Sequence, residues 1–137
     1  MTGPVLALRA AILARLSADT ALATLMGGAV RLHDEAPRGA EPVYAVFGTA
    51  DAKDWSSDGS RGHEQAAAVV VYAKPGSALS GVQAAERIAE LLDDASLALL
   101  GHRLVALRVV AFAADRDESS NLARATVHLR AVTEALS

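Results

Sequence analysis

Apolar residues at the start of the chain fall at helical spacing. Val5, Leu8, Ile12 and Leu16 recur every three or four positions, with Leu6 and Leu13 alongside, which predicts a helix from Pro4 to about Ser17. Pro4 suits the first turn because the N–H it lacks would have no partner there. Asp19 stands where it can cap a short second helix carrying Leu22, Leu25 and Met26, and Gly27-Gly28 supplies a left-handed stop. Together these segments make a bent helical lid. A short strand is expected over residues 29–33, and residues 34–42, Asp34-Glu35-Ala36-Pro37-Arg38-Gly39-Ala40-Glu41-Pro42, hold only breakers, charges and alanines and read as a surface loop.

The period then shortens. Residues 43–54 and 63–73 read as two strands joined by a polar, glycine-bearing connection, Trp55-Ser56-Ser57-Asp58-Gly59-Ser60-Arg61-Gly62, which carries the only tryptophan. This is a hairpin, and a lone hairpin buries too little apolar surface to persist in water, so the rest of the chain must cover it. Its second strand is apolar on both alternating faces, from Ala66 to Tyr72, as expected of a strand in the middle of a sheet with something on each side, or at a subunit boundary. Lys74-Pro75-Gly76-Ser77 ends it.

Helical spacing returns over residues 79–94. Val82, Ala85, Ala89 and Leu92 share a face with Ile88 and Leu91 beside it, Ser80 and Gln83 have capping-box spacing, and Glu86, Arg87, Glu90, Asp93 and Asp94 form a solvated face. A long strand is expected over residues 102–114, placing Val105, Leu107, Val109, Ala111 and Ala113 on one face and Arg108 on the other. A turn over residues 115–120 leads to the cleanest alternation in the chain, residues 121–134. There Ala123, Ala125, Val127, Leu129 and Ala131 face one way, and Arg124, Thr126, His128 and Arg130 the other. Helices, strands, helix, strands in that order predict an α+β fold: a mostly antiparallel sheet of about four to five strands with two main helices packed on one face. The 137 residues are expected to form a single domain.

Composition narrows the function. Hydrophobic residues make up 52% of the chain but aromatics only 4%, so the core must be built from Ala, Val and Leu. A net charge of -3 and a pI near 5.7 lack the clustered basic footprint that nucleic-acid binding requires. No window is apolar enough to span a membrane, and Met1-Thr2-Gly3-Pro4 has no basic leader start. With no cysteine there is no disulfide framework and no thiolate chemistry, in keeping with a reducing compartment.

Searches for a reaction centre end without one. Gly59-Ser60-Arg61-Gly62 has the wrong spacing for a nucleophile elbow and lies in a hairpin loop. Neither glycine-rich phosphate motif is present. The clusters His33-Asp34-Glu35, His63-Glu64 and Asp115-Arg116-Asp117-Glu118 gather oxygen and nitrogen donors, but His33, His63, His102 and His128 lack the i, i+4 pairing of a helical zinc motif, and the acidic turn lacks the calcium-loop pattern. No catalytic, cofactor-binding or metal-ligating residue is assigned, and no cofactor is expected. Trp55 is either a plug over one end of the sheet or an anchor for another chain, a role in which tryptophan concentrates binding energy. Arg124, His128 and Arg130 are likewise either solvated or in contact with a neighbouring subunit.

Several segments in order carry a resemblance: Ala18-Asp19-Thr20-Ala21-Leu22 before Gly27-Gly28-Ala29-Val30, Asp34-Glu35-Ala36-Pro37 leading to Pro42-Val43-Tyr44-Ala45-Val46-Phe47-Gly48, Asp54-Trp55-Ser56-Ser57, Gly62-His63-Glu64, Gly101-His102-Arg103-Leu104-Val105 and Thr133-Glu134. From about Val5 to Glu134 the chain resembles the DUF3168 family of phage and prophage proteins, which includes the tail terminators, or tail-completion proteins, of siphophage-like tails and gene transfer agents. The Ala-rich second strand of the hairpin departs from the larger residues expected there. The resemblance implies a structural, non-enzymatic protein: a homo-oligomeric ring, expected to be a hexamer, that sits on the last ring of the major tail tube protein and offers its other face to a head-side connector or stopper. DNA would pass through the lumen without specific binding, and no membrane would be involved. Assembly would occur in the cytoplasm of the producing bacterium, before incorporation at the head-tail junction. Asp34, Arg38, Asp54, Trp55, Ser56, Arg124, His128 and Arg130 are the expected contacts between subunits or rings. The rival readings are another head-to-tail joining protein, a small α+β enzyme and a ligand-binding module.

Overall fold

A computed structural model describes residues 3–136; Met1 and Thr2, from the segment read above for a leader, and Ser137 lie outside it. The elements in chain order are α1 (Pro4–Ser17), α2 (Thr20–Leu25), β1 (Leu32–His33), β2 (Tyr44–Phe47), β3 (Asp51–Asp54), β4 (Gly62–Ala73), α3 (Ala78–Leu92), β5 (Ala98–Leu99), β6 (His102–Arg116) and β7 (Ala123–Ala135). The α+β expectation holds, with seven strands in the sheet where four to five were expected. None of the described helices is long and apolar enough to cross a membrane.

The sheet runs β1-β2-β4-β7-β6-β5, with β3 also paired to β4 beyond the end of β2. Every pairing is antiparallel except β1 with β2. Its backbone is the pairing of β4 with β7, unbroken over twelve residue pairs from Gly62↔Glu134 to Ala73↔Ala123. At an antiparallel rise per residue, that spans roughly 35–40 Å. The doubly apolar run in β4 is central, as expected, but the cover expected on both of its sides is present on one face only.

Helices cover one face only. α3 lies over β4, β7 and β6, flanked by α1 and α2. Between helices and sheet, Leu8, Ile12, Leu16, Leu22, Met26, Ile88 and Leu92 meet Val69, Val71, Leu107, Val127 and Leu129, all almost fully buried. Close approach is possible because small residues line the contact: Ala84 and Ala85 are fully buried, and a Cβ on Gly81 would come within 3.0 Å of that of Ala73. The Ala-rich interior implied by composition is thus what lets α3 sit low on the sheet. One polar group enters this core with its partners: Gln65, 3% exposed, donates from Nε2 to the Pro4 carbonyl and to Thr133 Oγ1, each at 3.2 Å.

Five sequence expectations need correction. The first hairpin strand is broken at residues 48–50 into β2 and β3, where Gly48 lies against Ala68 and Val70 and a Cβ would approach both side chains to 3.2 Å. Leu6 and Leu13 of α1 are exposed, since the buried stripe is Ala7, Leu8, Ala11, Ile12 and Leu16. α3 begins one turn earlier than the Ser80–Gln83 spacing implied, with Ser77 as its N-cap residue, and its buried stripe is Gly81, Ala84, Ala85, Ile88, Leu91 and Leu92. The apolar face expected along β6 does not exist as such. Register shifts between Leu104 and Ala106 and between Val109 and Ala111 throw Val105 and Val110 out of the ladder, so only Leu107 and Val109 of the expected set face the helices. Finally, β6 runs on to Arg116 and pairs near its start with β5, which periodicity did not reveal because it is only two residues long.

Candidate functional site

The antiparallel ladder sorts the expected contact residues by position along the strands. At one end lie the close of β3, the connection to β4, the start of β6 and the close of β7; at the other lie the start of β2, the β6–β7 turn and the start of β7. Asp54, Trp55 and Ser56 are at the first end. Asp34, beside Tyr44 and Tyr72, and Arg124, opposite Tyr72, belong to the second, and Arg38 lies in the loop that leads into β2. His128 and Arg130 stand between, on the face that no helix covers.

At the first end the connection is held by its own hydroxyls. Ser56 Oγ donates to Asp54 Oδ1 at 2.6 Å and accepts from the Gly62 N–H at 3.2 Å, while Ser57 and Ser60 pair through their side chains at 2.9 Å and through both backbone N–H groups. The Trp55 N–H donates to the Gly62 carbonyl at 2.8 Å, which fixes the backbone and leaves the indole 51% exposed. Beside it, Ser56, Ser57, Ser60, Arg61, Ala135 and Leu136 line an open cleft of about 720 Å³.

At the second end a smaller concavity is lined by Asp34, Glu35, Tyr44, Tyr72, Asp117 and Ser120. Tyr44 and Tyr72 stack at 5.3 Å between ring centroids, because the β2–β4 register sets them directly opposite. Burial pushes the Tyr44 hydroxyl above its ordinary pKa, with Tyr72 and Asp117 adding to the effect. Asp34 Oδ1 accepts from Arg9 Nη1 at 3.4 Å. Arg124 grips Asp115 through two hydrogen bonds, Nε to Oδ1 at 2.7 Å and Nη2 to Oδ2 at 2.9 Å, holding that carboxyl below the usual range. Asp117 is also held low, chiefly by the Ser120 hydroxyl, with Ser119 and Arg124 contributing.

On the open face, Arg130 Nη2 donates to Glu64 Oε2 at 2.6 Å, which lowers the carboxyl's pKa; His128 is exposed across from Ala68 and Ala111. Arg124 and Arg130 therefore carry partners within the chain, an outcome that their alternation with apolar residues could not show. The concavities are also lined by Tyr44, Tyr72 and Arg61, which the sequence did not single out, and by Glu35, which it offered only as a metal donor. For the tyrosines the available signal was a shared apolar alternation, without the register that stacks them.

No group of three or more potential metal ligands comes together among the described residues. The arrangement offers hydroxyl-rich and carboxylate-rich loops at two ends of a rigid sheet, with an exposed indole at one of them.

A family model described as Tail completion protein gp17 matches residues 10–134. Among solved structures, the chain is similar to one in the virion of a native gene transfer agent particle, with 28% identity, a TM-score of 0.87, and coverage of 98% of this chain and 100% of that one. No curated protein matches.

Proposed function

Since the chain belongs to the tail completion protein gp17 family and is a structural protein of phage-type tails, we propose that it acts as a ring subunit that caps the tail tube, stops its polymerisation and joins it to the head-side connector. The reading includes the DUF3168 resemblance and a hexameric ring. One observation supports it: residues expected to make contacts divide between opposite ends of one continuous ladder, Asp54, Trp55 and Ser56 at one and Asp34 and Arg124 at the other, and we read these as two unlike docking ends.

A tube grows by heterologous stacking, in which each added ring exposes another copy of the same end. Growth stops when a subunit binds that end and presents something different. An element with Asp54, Trp55 and Ser56 at one extremity and Asp34 and Arg124 at the other meets that requirement, and Arg38, His128 and Arg130 are further contacts to neighbouring subunits or rings. Termination of this kind works by shape and needs no catalytic residue, so the proposal assigns none. The net charge of -3 suits a lumen through which DNA slides, because a basic wall would retain the phosphates. Assembly in the cytoplasm of the producing bacterium and residence at the head-tail junction follow from the same reading.

Deletion of the gene tests it. Electron micrographs should show tubes of irregular, excessive length and filled heads without tails. Tubes of uniform normal length joined to filled heads would overturn the proposal.

A further inference from the structure

The outer edge of β6 is covered along part of its length and bare along the rest. β5 pairs with His102 and Arg103. Farther along, the turn after α3 closes the edge: the Asp94 N–H donates to the Leu107 carbonyl at 2.8 Å, and Asp93 Oδ1 accepts from the Val109 N–H at 2.9 Å. Past the bulge at Val110 the cover stops. Over residues 110–116 no backbone hydrogen bond reaches that edge from the described residues, although residues 111–116 are paired to β7 on the inner side.

A bare edge is normally protected by lysine, proline or inward-pointing charge, because its free N–H and carbonyl groups are a template for another strand. This one has no lysine or proline, and it presents Val110 at 57% and Phe112 at 40% exposure. It is built to be paired.

We infer that residues 110–116 form the docking strand for the opposite edge of the sheet in a second copy of this chain, so that the sheet runs on from subunit to subunit. The inference rests on the ring reading above and names the lateral contact within it. Strand direction supports this occupant. β1 and β3 both run antiparallel to β6 within one molecule, so a second copy added in the same orientation meets β6 in antiparallel pairing. A contact between unlike edges is heterologous, the type that generates rings.

The test places a photoreactive benzophenone side chain at position 110 in the full chain, which is illuminated alone and on tail-tube ends, with rings scored in micrographs of the unmodified protein. The adduct expected joins position 110 to residues 32–54 of another copy. Rings with the adduct elsewhere, whether on another protein or on residues 110–116 of a second copy, would overturn the edge contact and leave the ring reading standing. Absence of rings in both settings would overturn the ring reading, and the edge contact with it. As a second measurement, Ala113→Lys should lower ring yield at least tenfold without moving the unfolding temperature of the monomer; unchanged ring yield would also overturn the contact.

Discussion

Arg87 on α3 holds Asp19, the N-cap residue of α2, through two parallel hydrogen bonds: Nε to Oδ2 at 2.9 Å and Nη2 to Oδ1 at 2.7 Å. The same carboxylate accepts from the Leu22 N–H at 2.8 Å, so one side chain both starts a helix and ties it to the next layer. The Arg87 hydrogen bonds, then that from Leu22, bring its pKa to about 2. Because the folded value lies below the unfolded one of about 3.9, the interaction contributes fully above pH ~4 and is lost as pH falls toward 2. Asp19→Ala should lower the unfolding temperature at pH 7, and the gap to wild type should shrink on acidification through that window. An equal gap at pH 7 and at pH 2 would contradict the assignment.

Gly62 opens β4 where the backbone of Trp55 crosses it. A Cβ there would lie 2.8 Å from the Trp55 carbonyl oxygen, an atom of the main chain that cannot swing aside. Gly62→Ala is expected to destabilise the chain by about 1–3 kcal/mol, the usual cost of overpacking, seen as a lower midpoint in denaturant.

Trp55→Ala removes a half-exposed indole while leaving the backbone bond to Gly62 in place. The circular dichroism spectrum and unfolding midpoint should stay within about 0.5 kcal/mol of wild type, while docking to tube ends or ring formation falls at least tenfold. Normal tails from a strain carrying the variant would show that the indole is no anchor.

Chelation should do nothing. Among the described residues no three donors from the clusters at His33-Asp34-Glu35, His63-Glu64 and Asp115-Arg116-Asp117-Glu118 come together to hold a metal, and Asp115 and Asp117 are engaged by Arg124 and by serines. EDTA is expected to leave the thermal unfolding curve unchanged, and a drop in its midpoint would point to a bound ion.

Much of the architecture was legible in the sequence wherever one period governed a whole element. β7 alternates from Ala123 to Ala131, and Ala123, Ala125, Val127, Leu129 and Ala131 are all buried as read; the Asp19 cap and the Gly27-Gly28 stop are also where the residue types put them. Legibility failed where geometry depends on a neighbour. The two bulges in β6 are set by its pairing with β7, and nothing in Val105 or Val110 themselves announces them. The loops expected to make contacts could be picked out by polarity, but their division between two ends needed the strand directions, and the internal pairing of Arg124 and Arg130 needed the register.

The uninterrupted pairing of β4 with β7 has a mechanical consequence. Tension between the loops at one extremity and those at the other runs along the strands, so the twelve rungs are loaded together in shear and are not peeled one by one. A subunit strung between a DNA-packed head and a long tail would thereby serve as a stiff strut, passing force from one end to the other through hydrogen bonds that must all give way at once.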